Sequence, residues 1–155
     1  MTTIEATINS SVIHDIELMQ ALLELLHREE IALLADNFTE IEGLANLKSD
    51  VIFKLQKSSE NRLSAFSSLS QNQLGDSFPV WVENQADQAM ANSWADLMSL
   101  TSKAKEINTT NGLLLNQLVS RNQRLLGFFK GDNQENLYGP DGLNAYKSAR
   151  QTIKG

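Results

Sequence analysis

Apolar residues recur early in the chain in alternating four- and three-residue steps. Val12, Ile16, Met19, Leu23, Leu26 and Leu33 form the stripe, and Glu30 fills its one polar slot. A period of 3.5 residues belongs to a coiled-coil or bundle seam. Leu18, Leu22 and Leu25 widen the stripe, so this helix, expected over about residues 10–36, meets two neighbours. Its start is left open, because Thr2 with Glu5 offers an earlier cap. A tight reversal follows. Asn37 suits the left-handed position after a helix, and Thr39 with Glu42 has the form of a capping box. So short a connection predicts a second, antiparallel helix over about 39–74. Ile41, Leu44, Val51 and Leu55 mark its apolar face with Lys48 inside it, and Leu63, Phe66 and Leu69 continue it.

Gly75 and Pro79 interrupt the pattern. Residues 75–84 read as a connector partly folded back on the bundle, since Phe78 and Trp81 resist full exposure. Asn84, with Asp87 three residues on, is the expected cap of a third helix over about 84–130. Its seam is Trp94, Leu97, Thr101, Ala104, Asn108, Asn111, Leu115, Leu118, Asn122 and Leu125. More than forty helical residues span over ~60 Å at ~1.5 Å per residue. The fold class expected is all-α: an elongated antiparallel helical bundle, or coiled coil, of three long helices. A short, flexible or partly helical C-terminal tail completes it. The division expected is a bundle domain over 1–136 and a partner-binding segment over 137–155.

The structural asparagines qualify this picture. A buried amide destabilises unless it is bonded, and its usual use is to fix register and partner number. The competing reading is a partly open face that tolerates Asn108, Asn111 and Asn122. Gly112 inside the helix costs ~1 kcal/mol against Ala, which points to close approach of another backbone. Exposed seam residues also allow a homodimer.

Composition and charge narrow the function classes. The chain has 155 residues, a net charge of −6 and no cysteine. A nucleic-acid partner needs clustered positive charge, and the overall excess of acid argues against one. No membrane insertion is expected either, because the apolar runs fall far short of the ~20 residues a span needs. Without a basic segment and apolar block at the N-terminus, the compartment expected is cytoplasmic. Charge is uneven. The first 42 residues carry nine carboxylates against Arg28 alone, whereas residues 142–155 hold Lys147, Arg150 and Lys154 and no acid.

No catalytic, cofactor-binding or metal site emerges. His14 and His27 stand 13 residues apart on one helix, ~20 Å, too far to share a metal. Asp132 to Asn136 lacks the glycine and the glutamate of a calcium loop. The pairs Glu29/Glu30 and Glu40/Glu42 read as solvated helix faces. A histidine-phosphotransfer bundle using His27 is one alternative, although the two glutamates that follow would repel an incoming phosphoryl group. A structural coiled-coil adaptor is another. The terminal segment stands out more. Leu137, Tyr138, Leu143, Tyr146 and Ile153 are five apolar residues in polar surroundings, a pattern that orders on contact with a partner.

Residues 94–142 carry a family pattern. Asn108-Thr109-Thr110-Asn111-Gly112 in a long helix, followed by the turn Leu137-Tyr138-Gly139-Pro140-Asp141-Gly142, resembles FlgN-type flagellar export chaperones. The first two helices match more loosely through Glu29 or Glu30, Leu33, Leu44, Lys48 and Leu55. The resemblance implies a cytoplasmic chaperone of hook-filament junction proteins that delivers them to the cytoplasmic domain of the flagellar export gate. It implies that the C-terminal segment holds the terminal helices of those proteins. Leu137, Leu143, Tyr146, Ala149 and Ile153 would then supply the apolar stripe. Tyr138, in the turn formed by Gly139, Pro140, Asp141 and Gly142, would dock at the gate.

Overall fold

A computed structural model describes residues 3–70, 77–84 and 87–130. Among these residues there are four α-helices and no strand: α1 (Thr3–Leu34), α2 (Phe38–Ser70), α3 (Phe78–Asn84) and α4 (Gln88–Lys130). The all-α class stands. The helix count does not: three long helices, of 32, 33 and 43 residues, are accompanied by a fourth of 7. The expected tail lies outside the described residues. The chain divides into two compact units, one of residues 1–23 and 51–104, the other of 24–50 and 105–155.

In the second unit, α1 and α2 meet in a three-residue reversal, Ala35 to Asn37. Asp36, not Asn37, adopts the left-handed conformation, with φ 55°. Its amide donates to the Leu33 carbonyl at 3.4 Å, and that of Asn37 donates to Ala32 at 2.9 Å. This pair of bonds satisfies the last carbonyls of α1. Aspartate tolerates the left-handed region because its short polar side chain bonds locally. Asn37 is then free to start α2. Its side-chain Oδ1 accepts the Glu40 amide at 3.2 Å, so Asn37 is the cap and Thr39 already lies inside the first turn. Beyond the reversal, Ala32, Leu33, Ile41, Leu44, Ala45, Leu115 and Leu118 make the apolar core of this unit.

The first unit closes over aromatic rings. The connector folds as α3 and buries Phe78, Trp81 and Val82. These pack with Ile8, Phe66, Leu69 and Met90. Phe78 meets Phe66 edge-on at 5.3 Å between centroids and Trp94 at 4.8 Å. Rings in this geometry stabilise by ~0.5–1.5 kcal/mol beyond their burial. Pro79 is tolerated because first-turn amides have no helical partner to lose.

Two details of the seams depart from expectation. On α1 the buried positions are Ile8, Val12, Asp15, Met19, Leu22, Leu26, Glu29, Ala32 and Leu33. The second column of the stripe is therefore Asp15, Leu22 and Glu29, not Ile16, Leu23 and Glu30. On α2, Arg62 is buried where Leu63 was expected, and Leu63 is 51% exposed. At Asp15 and Arg62 the cause is shared: each charge takes the buried position because it bonds to the other.

The start of α4 is also displaced. Asp87 accepts the Met90 amide at 2.8 Å, whereas Asn84 ends α3. Asp87→Ala is expected to cost ~1 kcal/mol, the usual loss of a helix cap. Asn84→Ala should stay within ~0.5 kcal/mol. Urea denaturation of the two variants followed by circular dichroism checks the order.

Candidate functional site

Sequence reasoning named residues in two places, and the structure describes one of them. Asn108, Asn111 and Gly112 lie on the part of α4 that belongs to the second unit, and Asn111 and Gly112 are buried. Asn122 is half-buried further along the helix. Leu137, Tyr138, Gly139, Pro140, Asp141, Gly142, Leu143, Tyr146, Ala149 and Ile153 lie outside the described residues.

The asparagines complete a polar cluster centred on a buried ion pair. Lys48 and Glu29 both have no side-chain exposure, and Lys48 Nζ donates to Glu29 Oε2 at 3.0 Å and to Oε1 at 3.1 Å. Lys48 also donates to Asn108 Oδ1 at 3.2 Å. Asn111 Nδ2 donates to Glu29 Oε1 at 2.8 Å and to the Leu26 carbonyl at 2.9 Å. Each amide thus serves one ion, Asn108 the ammonium and Asn111 the carboxylate. Burial pushes the Lys48 pKa down, and the Glu29 carboxylate pushes back. Glu29 is a residue whose role the sequence reading missed, having placed it on a solvated face. The signal was present in the pattern: Glu29 sits 14 residues from Asp15, and Lys48 sits 14 residues from Arg62.

That spacing marks a second pair, in the first unit. Arg62 Nη1 donates to Asp15 Oδ2 at 2.6 Å and to Ser11 Oγ at 3.0 Å. Its guanidinium lies 5.5 Å from the Trp94 ring centroid and 5.9 Å from that of Phe78. A planar, weakly hydrated cation suits an aromatic wall better than an ammonium does. Where the second unit uses lysine and two amides, the first uses arginine and rings.

These clusters position helices. Among the described residues no group of three or more His, Asp or Glu is placed to hold a metal ion. His27 is exposed, and its neighbour Arg28 pairs with Glu40 at 2.8 Å. At the α1–α2 reversal the surface is more open. Ile31 and Leu34 are each 67% exposed beside a shallow cleft lined by Arg28, Ile31, Ala32, Ala35, Asn37 and Glu40. Arg121 pairs with Asp36 at the same end. No described helix is long and apolar enough to cross a membrane.

Lys48→Met would leave Glu29 buried without its cation, and a loss of ~3–5 kcal/mol is expected. The double change Glu29→Leu with Lys48→Met should recover most of that loss, because no charge remains buried. The double variant also isolates a pH effect. Since burial lowers the Lys48 pKa below 10.5, the unfolded chain holds this proton at pH values where the folded chain has released it. Stability of the parent relative to the double variant should therefore rise with pH across that window. Denaturation midpoints between neutral pH and pH 10 check the sign.

The chain matches the model of the FlgN protein family over residues 1–145. It is similar to the Flagella synthesis protein FlgN of Proteus mirabilis, 40% identical over 58 residues, which cover 37% of this chain and 40% of that protein. It is also similar to the Flagella synthesis protein FlgN of Yersinia enterocolitica, 25% identical over 129 residues, covering 82% of each chain. No solved structure matches at a significant level. The match takes in the reversal, the Glu29–Lys48 cluster with both its asparagines, and the sequence through Leu137 to Gly142: the chain belongs to the FlgN protein family.

Proposed function

We propose that the chain is a cytoplasmic chaperone of flagellar assembly. It holds the terminal helices of hook-filament junction proteins and brings them to the cytoplasmic domain of the export gate. The observation that carries this reading is the family match, whose range of residues 1–145 includes Leu137 to Gly142. The names of both relatives, as flagella synthesis proteins, agree with it.

The division of the chain supports the same reading. Asn108 and Asn111 serve the Glu29–Lys48 pair inside the body, so this motif is committed to structure and not to a partner. Contact with cargo falls to Leu137, Leu143, Tyr146, Ala149 and Ile153. Amphipathic helices seal their apolar faces in a helix-in-groove arrangement, and a terminal segment that orders on binding can do this with releasable affinity. Tyr138 is not one of those five residues and serves the gate.

Deleting residues 137–155 should leave the helical body folded and abolish cargo capture. Circular dichroism and a pull-down with a junction protein read the two effects separately, and capture by the truncated chain overturns the site. Tyr138→Ala should keep cargo affinity and weaken binding to the gate domain at least ~10-fold, about 1.4 kcal/mol. Titration calorimetry against each partner tests the split.

A further inference from the structure

The surface at the α1–α2 reversal is not used by anything described above. Ile31 and Leu34, both 67% exposed, lie three residues apart on the outward side of α1. Glu24 precedes Ile31 by two turns of the same face, and Glu30 flanks Leu34. Among the described residues neither glutamate is seen in an ion pair with a cation. The patch is apolar in the middle, with the carboxylates of Glu24 and Glu30 beside it and the Arg28–Glu40 ion pair, already neutralised, at its cleft margin.

Residues 143–154 carry the complementary pattern. On a helical projection Tyr146, Ala149 and Ile153 share one stripe, and Lys147, Arg150 and Lys154 share the adjoining one with Leu143. Those three cations are the whole charge of residues 142–155. Chain length allows the two to meet. The Arg121–Asp36 pair fixes α4 beside the reversal, and nine further residues carry it to Lys130, ~14 Å along the helix. The twelve residues from 131 to 142 can reach back over as much as ~40 Å when extended.

We propose that the patch around Ile31 and Leu34 is a docking surface for residues 143–154 of the same chain. The tail occupies it when no cargo is bound, apolar stripe against Ile31 and Leu34 and cations toward Glu24 and Glu30. A tether of this length gives an effective concentration on the order of millimolar, so a weak contact suffices to hold it. A weak contact also yields to a longer cargo helix. The inference rests on the reading above for the tail's role in cargo binding, while the docking itself does not.

Because the chain has no cysteine, a single engineered pair reports the contact. Ala35→Cys with Ala149→Cys in the full chain should form an intramolecular disulfide under mild oxidation. Its yield should fall at least ~5-fold when Lys147→Glu, Arg150→Glu and Lys154→Glu are added. Glu24→Lys with Glu30→Lys, which alone should also lower the yield, should restore it in the charge-reversed tail. Raising the salt to ~1 M, where screening acts over ~3 Å, should lower the yield of the parent pair. A yield indifferent to charge and salt overturns the proposal, as does no disulfide at all. Disulfides formed only between molecules overturn it in favour of a second copy on the patch. A cargo pull-down on the same preparations separates the two readings. Loss of capture on deleting 137–155 without any intramolecular disulfide sinks the docking alone. A charge-dependent disulfide with capture unaffected by the deletion sinks the cargo site and leaves the docking.

Discussion

A charge moved out of water must bring its partner with it. Lys48 and Glu29 are both fully buried, and desolvation of that size is offset only by close geometry and further hydrogen bonds. The pair therefore restricts how α1, α2 and α4 pack in the second unit. Sliding α2 against α1 by one heptad would set Lys48 against Leu22 or Asp36, and would in either direction leave the Glu29 carboxylate facing an apolar residue, Ile41 or Leu55, with no cation. Apolar seams tolerate such slips at low cost, since leucine resembles leucine. The ion pair does not tolerate them. In the first unit, Asp15 and Arg62 impose the same restriction, and their spacing to Glu29 and Lys48 is two heptads on each helix. Stability is the lesser part of this. An apolar replacement of similar volume would hold the helices as firmly, and what would be lost is the single register.

Much of this fold was legible in the residue pattern because helices advertise their buried faces by period. The seam of α4 came out as read, from Trp94 to Leu118, and so did the short reversal after α1. What escaped were positions where polarity and burial part company. Ranking residues by hydrophobicity puts Ile16 above Asp15 and Leu63 above Arg62, and the structure reverses both. Hydropathy scores one residue at a time, whereas a buried charge is stable only as half of a pair. The helix starts failed for a related reason. Thr39 with Glu42 and Asn84 with Asp87 satisfy a local spacing rule, but which carboxamide or carboxylate caps depends on where the preceding helix ends. At the reversal, Asp36 takes the left-handed turn and passes the capping role to Asn37.

The candidate site was legible in a different way. Asn108, Asn111 and Gly112 were singled out as structural, and the structure gives two of them a definite task. The apolar residues at the other end of the chain were singled out by their surroundings, as greasy positions in a polar segment. One signal concerns what the body needs in order to fold in one register. The other, on the proposed function, concerns what a partner needs in order to be held.

The choice of asparagine at both 108 and 111 follows from the charges they serve. At 108 the side chain must offer an acceptor to an ammonium, and at 111 it must offer a donor to a carboxylate. An amide does either. Aspartate at 111 would face Glu29 with like charge, and lysine at 108 would do the same to Lys48. Leucine at either position would withdraw a bond from an ion that has no water to turn to. Serine reaches less far from the helix. Two amides one turn apart are thus the neutral groups that complete a buried Glu–Lys pair from a third helix. The N-x-x-N-G run in this chain is the α4 half of that clamp, and its other half is written some sixty to eighty residues earlier, at Glu29 and Lys48.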